Sequence, residues 1–140
     1  MLSTLRAQYR RVHAGLDARS DRAIAPMAAH YAAVLMCEDV IVNAVLGGQM
    51  PLALSTWRAR TGLSELPPVA CGRERHAWAA RVRVDVSALR PYARAVYAAT
   101  DAFFARRANL PPSPLSARVL WALLVNQRLL LESSGTHTVC

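Results

Sequence analysis

The chain has 140 residues, 54% of them hydrophobic and 19% charged, which suits one domain with a packed core and excludes wholesale disorder. All 17 of its Lys+Arg residues are Arg, and against 9 acids they give a formal net charge of +8. No apolar run approaches the roughly 20 residues that a membrane-spanning helix needs, and the N-terminus lacks the charged-then-apolar layout of a secretory signal.

Leu5, Tyr9, Val12 and Leu16 recur at spacings of three and four, which predicts a helix over 4–17 with one buried face. Residues 17–25 read as a connector. Pro26 suits a first helical turn, where its missing N–H has no partner in any case. A long helix over 27–46 follows, with Met27, Tyr31, Val34, Leu35, Ile41, Val42 and Val45 on its apolar stripe and Gly47-Gly48 ending it. Glu38, Asp39 and Asn43 interrupt that stripe, as in a bundle helix and unlike a membrane span. Residues 49–72 are irregular and contain Pro51, Pro67 and Pro68, with a short capped helix expected over 55–62. So long a connection in a compact domain points to a functional loop.

A short helix is expected over 74–81. The alternation Arg81 to Val86 has a strand period without a visible partner, and reads as helix or extended connector. The third long helix spans 88–108, with Ser87 as N-cap, Pro91 at the fourth helical position, and Leu89, Tyr92, Val96, Thr100, Phe103 and Phe104 on its apolar face. After Pro111, Pro112 and Pro114, a last helix is expected over 117–133. Ser116 would cap it, and Leu115 would staple onto Leu120. The fold class is therefore all-α, one domain over 1–140. It is a four-helix bundle with a long irregular connection between helices 2 and 3 and a frayed tail at 134–140.

The cysteines Cys37, Cys71 and Cys140 are too few and scattered for a disulfide framework, which favours a reducing cytoplasm. Arginines are spread along the chain. With Lys absent and Ala, Val and Leu abundant, they read as coding bias and a solvated surface. No zinc-finger spacing or aromatic-interleaved basic motif accompanies them, so nucleic acid is not an expected partner despite the charge.

Several residues have the chemistry for a site. His30 and Cys37 stand seven apart on one helix face, and His137 and Cys140 form a second close pair. Together they would make a Cys2His2 set without finger-like spacing. Glu38, if turned inward, could act as a base or pair with Arg128, while its neighbour Asp39 would be solvated. Asn126, Gln127 and Arg128 form a polar island among leucines, and buried polar groups need a partner or a ligand. Trp57, Trp78 and Tyr92 flank the irregular connection, as cleft lining or as anchors.

The order Glu38-Asp39, Val42-Asn43, Val45-Leu46-Gly47-Gly48, Trp57…Gly62-Leu63, Leu89…Tyr92…Ala99-Thr100-Asp101 and Leu123-Leu124-Val125-Asn126 resembles the DinB-like superfamily over residues 24–131. That superfamily includes bacillithiol transferases and mycothiol-dependent maleylpyruvate isomerases. The resemblance implies a four-helix bundle, a homodimer, and a divalent metal held by three histidines. The positions matching those histidines hold Ala33, Gln127 and Leu131. No metal or cofactor is therefore expected, and a divalent metal or low-molecular-weight thiol would require a rebuilt site. The expected function is a divergent, metal-free protein that binds or transforms a small molecule in the inter-helix cavity. His30 and Glu38 are its catalytic candidates, and Cys37, Asn126, Gln127 and Arg128 its pocket. The alternatives are a non-catalytic dimerising or partner-binding relative, and a thiol-dependent transferase with a rebuilt metal site.

Overall fold

The computed structural model describes residues 2–68 and 72–132. Helix α1 (Leu2–Asp17) buries Leu5, Tyr9, Val12 and Leu16, as their spacing predicts, and His13 beside them. The connector that follows is shorter than expected. Ser20 caps a short helix α2 (Asp21–Ile24), its Oγ accepting the Ala23 N–H at 3.1 Å. Pro26 occupies a 3₁₀ turn (Ala25–Met27) that leads into α3 (Ala28–Asp39). Beyond Asp39 the chain continues as a π-helix, Val40–Leu46, where an α-helix was expected. The wider winding shifts the phase of the side chains. Val45, expected on the apolar stripe, is 67% exposed as a result.

The connection after Gly47 contains a 3₁₀ turn, Leu52–Leu54, and then turns where a capped helix was expected. Ala59 takes a left-handed φ of 61°, which is incompatible with a continuing helix. Residues 82–85 do find a partner that the sequence pattern left invisible. Leu63 and Val84 form an antiparallel bridge, the only β pairing among the described residues, and the Asp85 N–H donates to the Gly62 carbonyl at 2.8 Å. Gly62 is required there. Its φ is +82°, and a Cβ would lie 2.6 Å from the Asp85 carbonyl oxygen.

Helix α4 (Arg73–Arg81) precedes the bridge, and α5 (Val86–Arg106) follows it. Asp85, not Ser87, caps α5 by accepting the Ala88 N–H at 3.3 Å, while Ser87 Oγ donates to the same carboxylate at 2.7 Å. With Val86 as the first helical residue, Pro91 is the sixth. It lies further inside the helix than expected and removes a bond to the Ser87 carbonyl. Helix α6 (Pro114–Glu132) likewise starts early. Ser113 Oγ accepts the Ser116 N–H at 3.1 Å, and Pro114 takes the first helical position. Leu115 is then 72% exposed and makes no staple. The predicted helix end and frayed tail at 133–140 lie outside the described residues.

Helices α1 and α3 each pack against both α5 and α6. Their buried faces form one core that includes Leu5, Leu35, Leu89, Val96, Phe104 and Leu124. Ion pairs link the same elements, with Arg6 and Arg10 on Asp101 and Arg94 on Asp17. The stretch Asp21–Leu46 is long and apolar enough, by length and composition, to cross a membrane. This corrects the expectation drawn from its sequence. Here the stretch packs within the domain and carries two carboxylates with no exposed surface, Glu38 and Asp39.

Candidate functional site

The interior of the helices is polar at one level. Glu38 on α3 accepts from Thr100 Oγ1 of α5 at 2.6 Å, faces His13 Nε2 of α1 at 3.0 Å, and accepts from the Gln127 amide of α6. His13 stacks on Tyr97, with ring centroids 3.9 Å apart and planes 16° from parallel. The Tyr97 hydroxyl in turn hydrogen-bonds that of Tyr31. Tyr9 packs edge-on to His13 and donates to the Leu120 carbonyl at 2.6 Å. The expected Glu38–Arg128 pair does not form. Arg128 follows Gln127 by one residue and so points about 100° away around the helix. Between the ends of the long helices lies a cavity of about 190 Å³, lined by Leu2, Leu46, Phe103, Arg107 and Leu120. The space beside Gln127, between Leu16, Tyr31, Val34, Tyr97 and Leu130, has no room for a water-sized molecule.

Asp39, expected to be solvated, is fully buried. Its carboxylate accepts from Asn43 Nδ2 at 2.8 Å, the Leu52 N–H at 2.8 Å, the Ala53 N–H at 2.9 Å and the Tyr92 hydroxyl at 2.7 Å. Such a set of donors holds a carboxylate in place of water. It ties the irregular connection to α3 and α5. Trp57 packs against Tyr92 in the same region, with centroids 6.2 Å apart, so both act as anchors. Trp78 is buried, and its Nε1–H donates to the Glu65 carbonyl at 3.0 Å.

Open space lies on the other side of α3. A cavity of about 310 Å³ is lined by His30, Ala33, Arg75, His76 and Trp78. A second, of about 170 Å³, is lined by Ala33, Met36, Cys37, Ile41, Pro67 and Pro68, and shares Arg75. Ala33 and Arg75 thus belong to both walls. Arg75 is only 6% exposed. One of its terminal nitrogens donates to the Pro68 carbonyl at 3.1 Å, and its Nε–H has no partner. Burial lowers the pKa of His30 below 6.5, and the neighbouring His76 and Arg75 lower it further. These influences favour the neutral imidazole of His30.

The sequence candidates separate into two places. His30 and Cys37 line the two cavities beside α3, whereas Glu38 and Gln127 meet in the closed interior. Asn126 and Arg128 are half-buried and line neither cavity. His137 and Cys140 lie outside the described residues. The positions aligned with the three histidines do not fit a metal, because Ala33 and Leu131 have no ligating atom and the Gln127 amide is bound to Glu38. No cluster of three or more His, Cys, Asp or Glu side chains with metal-binding geometry occurs among the described residues. Sequence reasoning missed His13, Arg75 and His76. For His13 a signal existed, since it directly follows Val12 on a face that otherwise holds apolar residues. Compared with protein-family models, curated proteins and solved structures, the chain matches none.

The interior network predicts that Glu38→Ala, by leaving His13, Thr100 and Gln127 without their common acceptor, lowers the free energy of urea unfolding by about 3–5 kcal/mol. The tyrosines predict an alkaline signature. All four, Tyr9, Tyr31, Tyr92 and Tyr97, titrate above the ordinary value of 10, chiefly because burial disfavours the phenolate, and Tyr31 is pushed up to about 12. Below pH 10 both states hold these protons. Above it the unfolded chain loses them first, so stability falls as pH rises. Absorbance at 295 nm should stay flat in the native protein to pH 11, and rise near pH 10 in denaturant.

Proposed function

We propose that this chain is a divergent DinB-like four-helix bundle, cytoplasmic and metal-free, that binds a small molecule in the cleft beside α3. The observation that carries this reading is the pair of cavities sharing Ala33 and Arg75. The larger, at about 310 Å³, reaches the lower end of the range of small-ligand pockets, and the lining of the pair combines apolar walls with a few polar groups. The polar interior around Glu38 supports the same placement, because the space beside Gln127 has no room for a ligand. Support for the bundle comes from packing. The long helical stretches α1, α3 with its π-helical continuation, α5 and α6 make the mutual contacts such a bundle needs, and the long connection falls between the second and third. The matched motif pieces Glu38-Asp39 and Ala99-Thr100-Asp101 gain a common rationale, since Glu38, Asp39 and Thr100 all belong to buried hydrogen bonds.

Ala33→Leu tests this reading, since the larger side chain would fill the wall common to both cavities. A screen of small-molecule fragments by ligand-observed NMR should give hits on the wild-type chain that the variant loses, with its far-UV circular dichroism unchanged. Identical hits on both proteins, or none, would place any ligand elsewhere.

A dimeric role has an observation of its own. Leu115, Ala122, Val125 and Leu129 lie within one narrow stripe of α6, with Arg118 among them, and all are exposed. Such a stripe suits a second copy of the chain. Sedimentation equilibrium should then give a dimer that Val125→Glu converts to monomer. A wild-type monomer at high micromolar concentration would remove this reading.

A further inference from the structure

We propose that the cleft beside α3 receives a small organic anion. Its single acidic group would be seated on Arg75 beside His30 and His76, and its apolar body held in the groove of Met36, Cys37, Ile41, Pro67 and Pro68. This inference rests on the reading of that cleft as a small-molecule site and adds the chemistry of the ligand.

The argument begins with the acids. All nine in the sequence lie among the described residues, and none forms an ion pair with Arg75. Asp17, Asp21, Asp101 and Glu65 take other arginines. Glu38 and Asp39 are saturated in the interior, and Asp85 caps α5. Glu74 and Glu132 are exposed and make no ion pair among the described residues. Arg75 is thus a buried guanidinium with one carbonyl acceptor, an orphaned Nε–H and no counter-charge among the described residues. A cation removed from water without a counter-ion is costly, and the natural remedy is an anion with acceptor lone pairs.

The surroundings favour the same ligand. The larger cavity is lined by two histidines and this arginine and by no acid, so an entering anion meets no repulsion. Guanidinium geometry suits carboxylate and phosphate groups alike. The adjoining cavity is apolar, and its volume of about 170 Å³ compares with the ~150 Å³ that accommodates benzene in an engineered protein core. Head and body are held by residues on the two sides of Arg75. A neutral molecule of the same shape would leave the orphaned donor unpaired, which makes charge the discriminating feature.

The test is titration calorimetry on the full chain with four probes: phenylacetate, benzylphosphonate, the near-isosteric neutral phenylacetamide, and inorganic phosphate. At least one aromatic anion should bind about tenfold or more tightly than phenylacetamide. Inorganic phosphate, lacking the apolar body, should bind more weakly than that anion. The carboxylate and phosphonate arms decide which acidic group is preferred. Arg75→Gln should abolish the preference for charge while leaving the weak binding of phenylacetamide in place, and Arg75→Lys should restore part of it. The comparison on the wild-type chain stands even if a variant folds poorly.

Equal affinity for phenylacetate, benzylphosphonate and phenylacetamide would overturn the inference. If that binding were still lost in Ala33→Leu, the cleft would remain a small-molecule site for neutral ligands. No binding by any probe would also overturn it, and the fragment screen then decides whether the cleft binds anything. Binding that survives Ala33→Leu would overturn both readings.

Discussion

A carboxylate with no exposed surface sets the terms for the rest of the molecule. Glu38 is out of water altogether, and the cost of taking it there is offset only by donors placed around it. Those donors come from α1, α5 and α6, so a single side chain of α3 fixes the heights of three other helices. One of these donors is itself held. His13 is stacked on Tyr97, and Tyr97 is hydrogen-bonded to Tyr31 back on α3. Apolar packing alone tolerates sliding of one helix along another, because leucines and valines make similar contacts at neighbouring registers. A hydrogen-bonded carboxylate does not, because a shift of one turn would leave it unpaired.

The next residue does a second task because of where the helix turns it. Asp39 points about 100° away from Glu38, towards the connection and α5, where it accepts two backbone N–H groups of the Leu52–Leu54 turn together with Tyr92 and Asn43. The connection is thereby pinned to the end of α3. From there it runs through Pro67 and Pro68, whose side chains wall the apolar cavity. Two adjacent acids thus explain both why the interior beside Gln127 is filled and how the Pro67-Pro68 segment comes to lie beside α3. A polar network fills the middle of the helices, with Gln127 Oε1 its one unpartnered atom among the described residues, and leaves no room for a ligand beside Gln127.

The helices were legible in the sequence to the extent that they follow a 3.6-residue period. Leu5, Tyr9, Val12 and Leu16, and Leu89, Tyr92, Val96, Thr100, Phe103 and Phe104, are all buried as that period requires. Helix starts were harder. Ser113 and Ser116, or Asp85 and Ser87, offer competing caps within one turn, and the backbone took the earlier residue of each pair. The π-helix at Val40–Leu46 leaves no mark in the pattern of residue types, so the exposure of Val45 could not be foreseen. Glu38 and Gln127 were each recognisable as polar groups among apolar neighbours. That they meet each other depends on how four helices are packed, which no local pattern encodes. His30 and Cys37, expected to share a helix face, line separate cavities, towards α4 and towards Pro67 and Pro68 respectively, and not another of the long helices.

The arginines pose the converse problem, because a chain with 17 of them and no lysine gives none of them distinction by type. Structure separates them by what neutralises them. Arg6, Arg10, Arg81, Arg90 and Arg94 each meet an acid, and most of the others are exposed, where water screens them. Arg90 also has an orphaned nitrogen, but it lies between Asp17 and Asp21 and its charge is balanced. Arg75 has burial without balance. In a fold that surrounds its two buried carboxylates with donors, an equally buried guanidinium without a carboxylate is a place where stability has been given up. An opposite charge arriving from solution recovers it. The net charge of the whole chain is a poor guide to its partners for this reason. What matters is the buried positive group that meets no acid among the described residues.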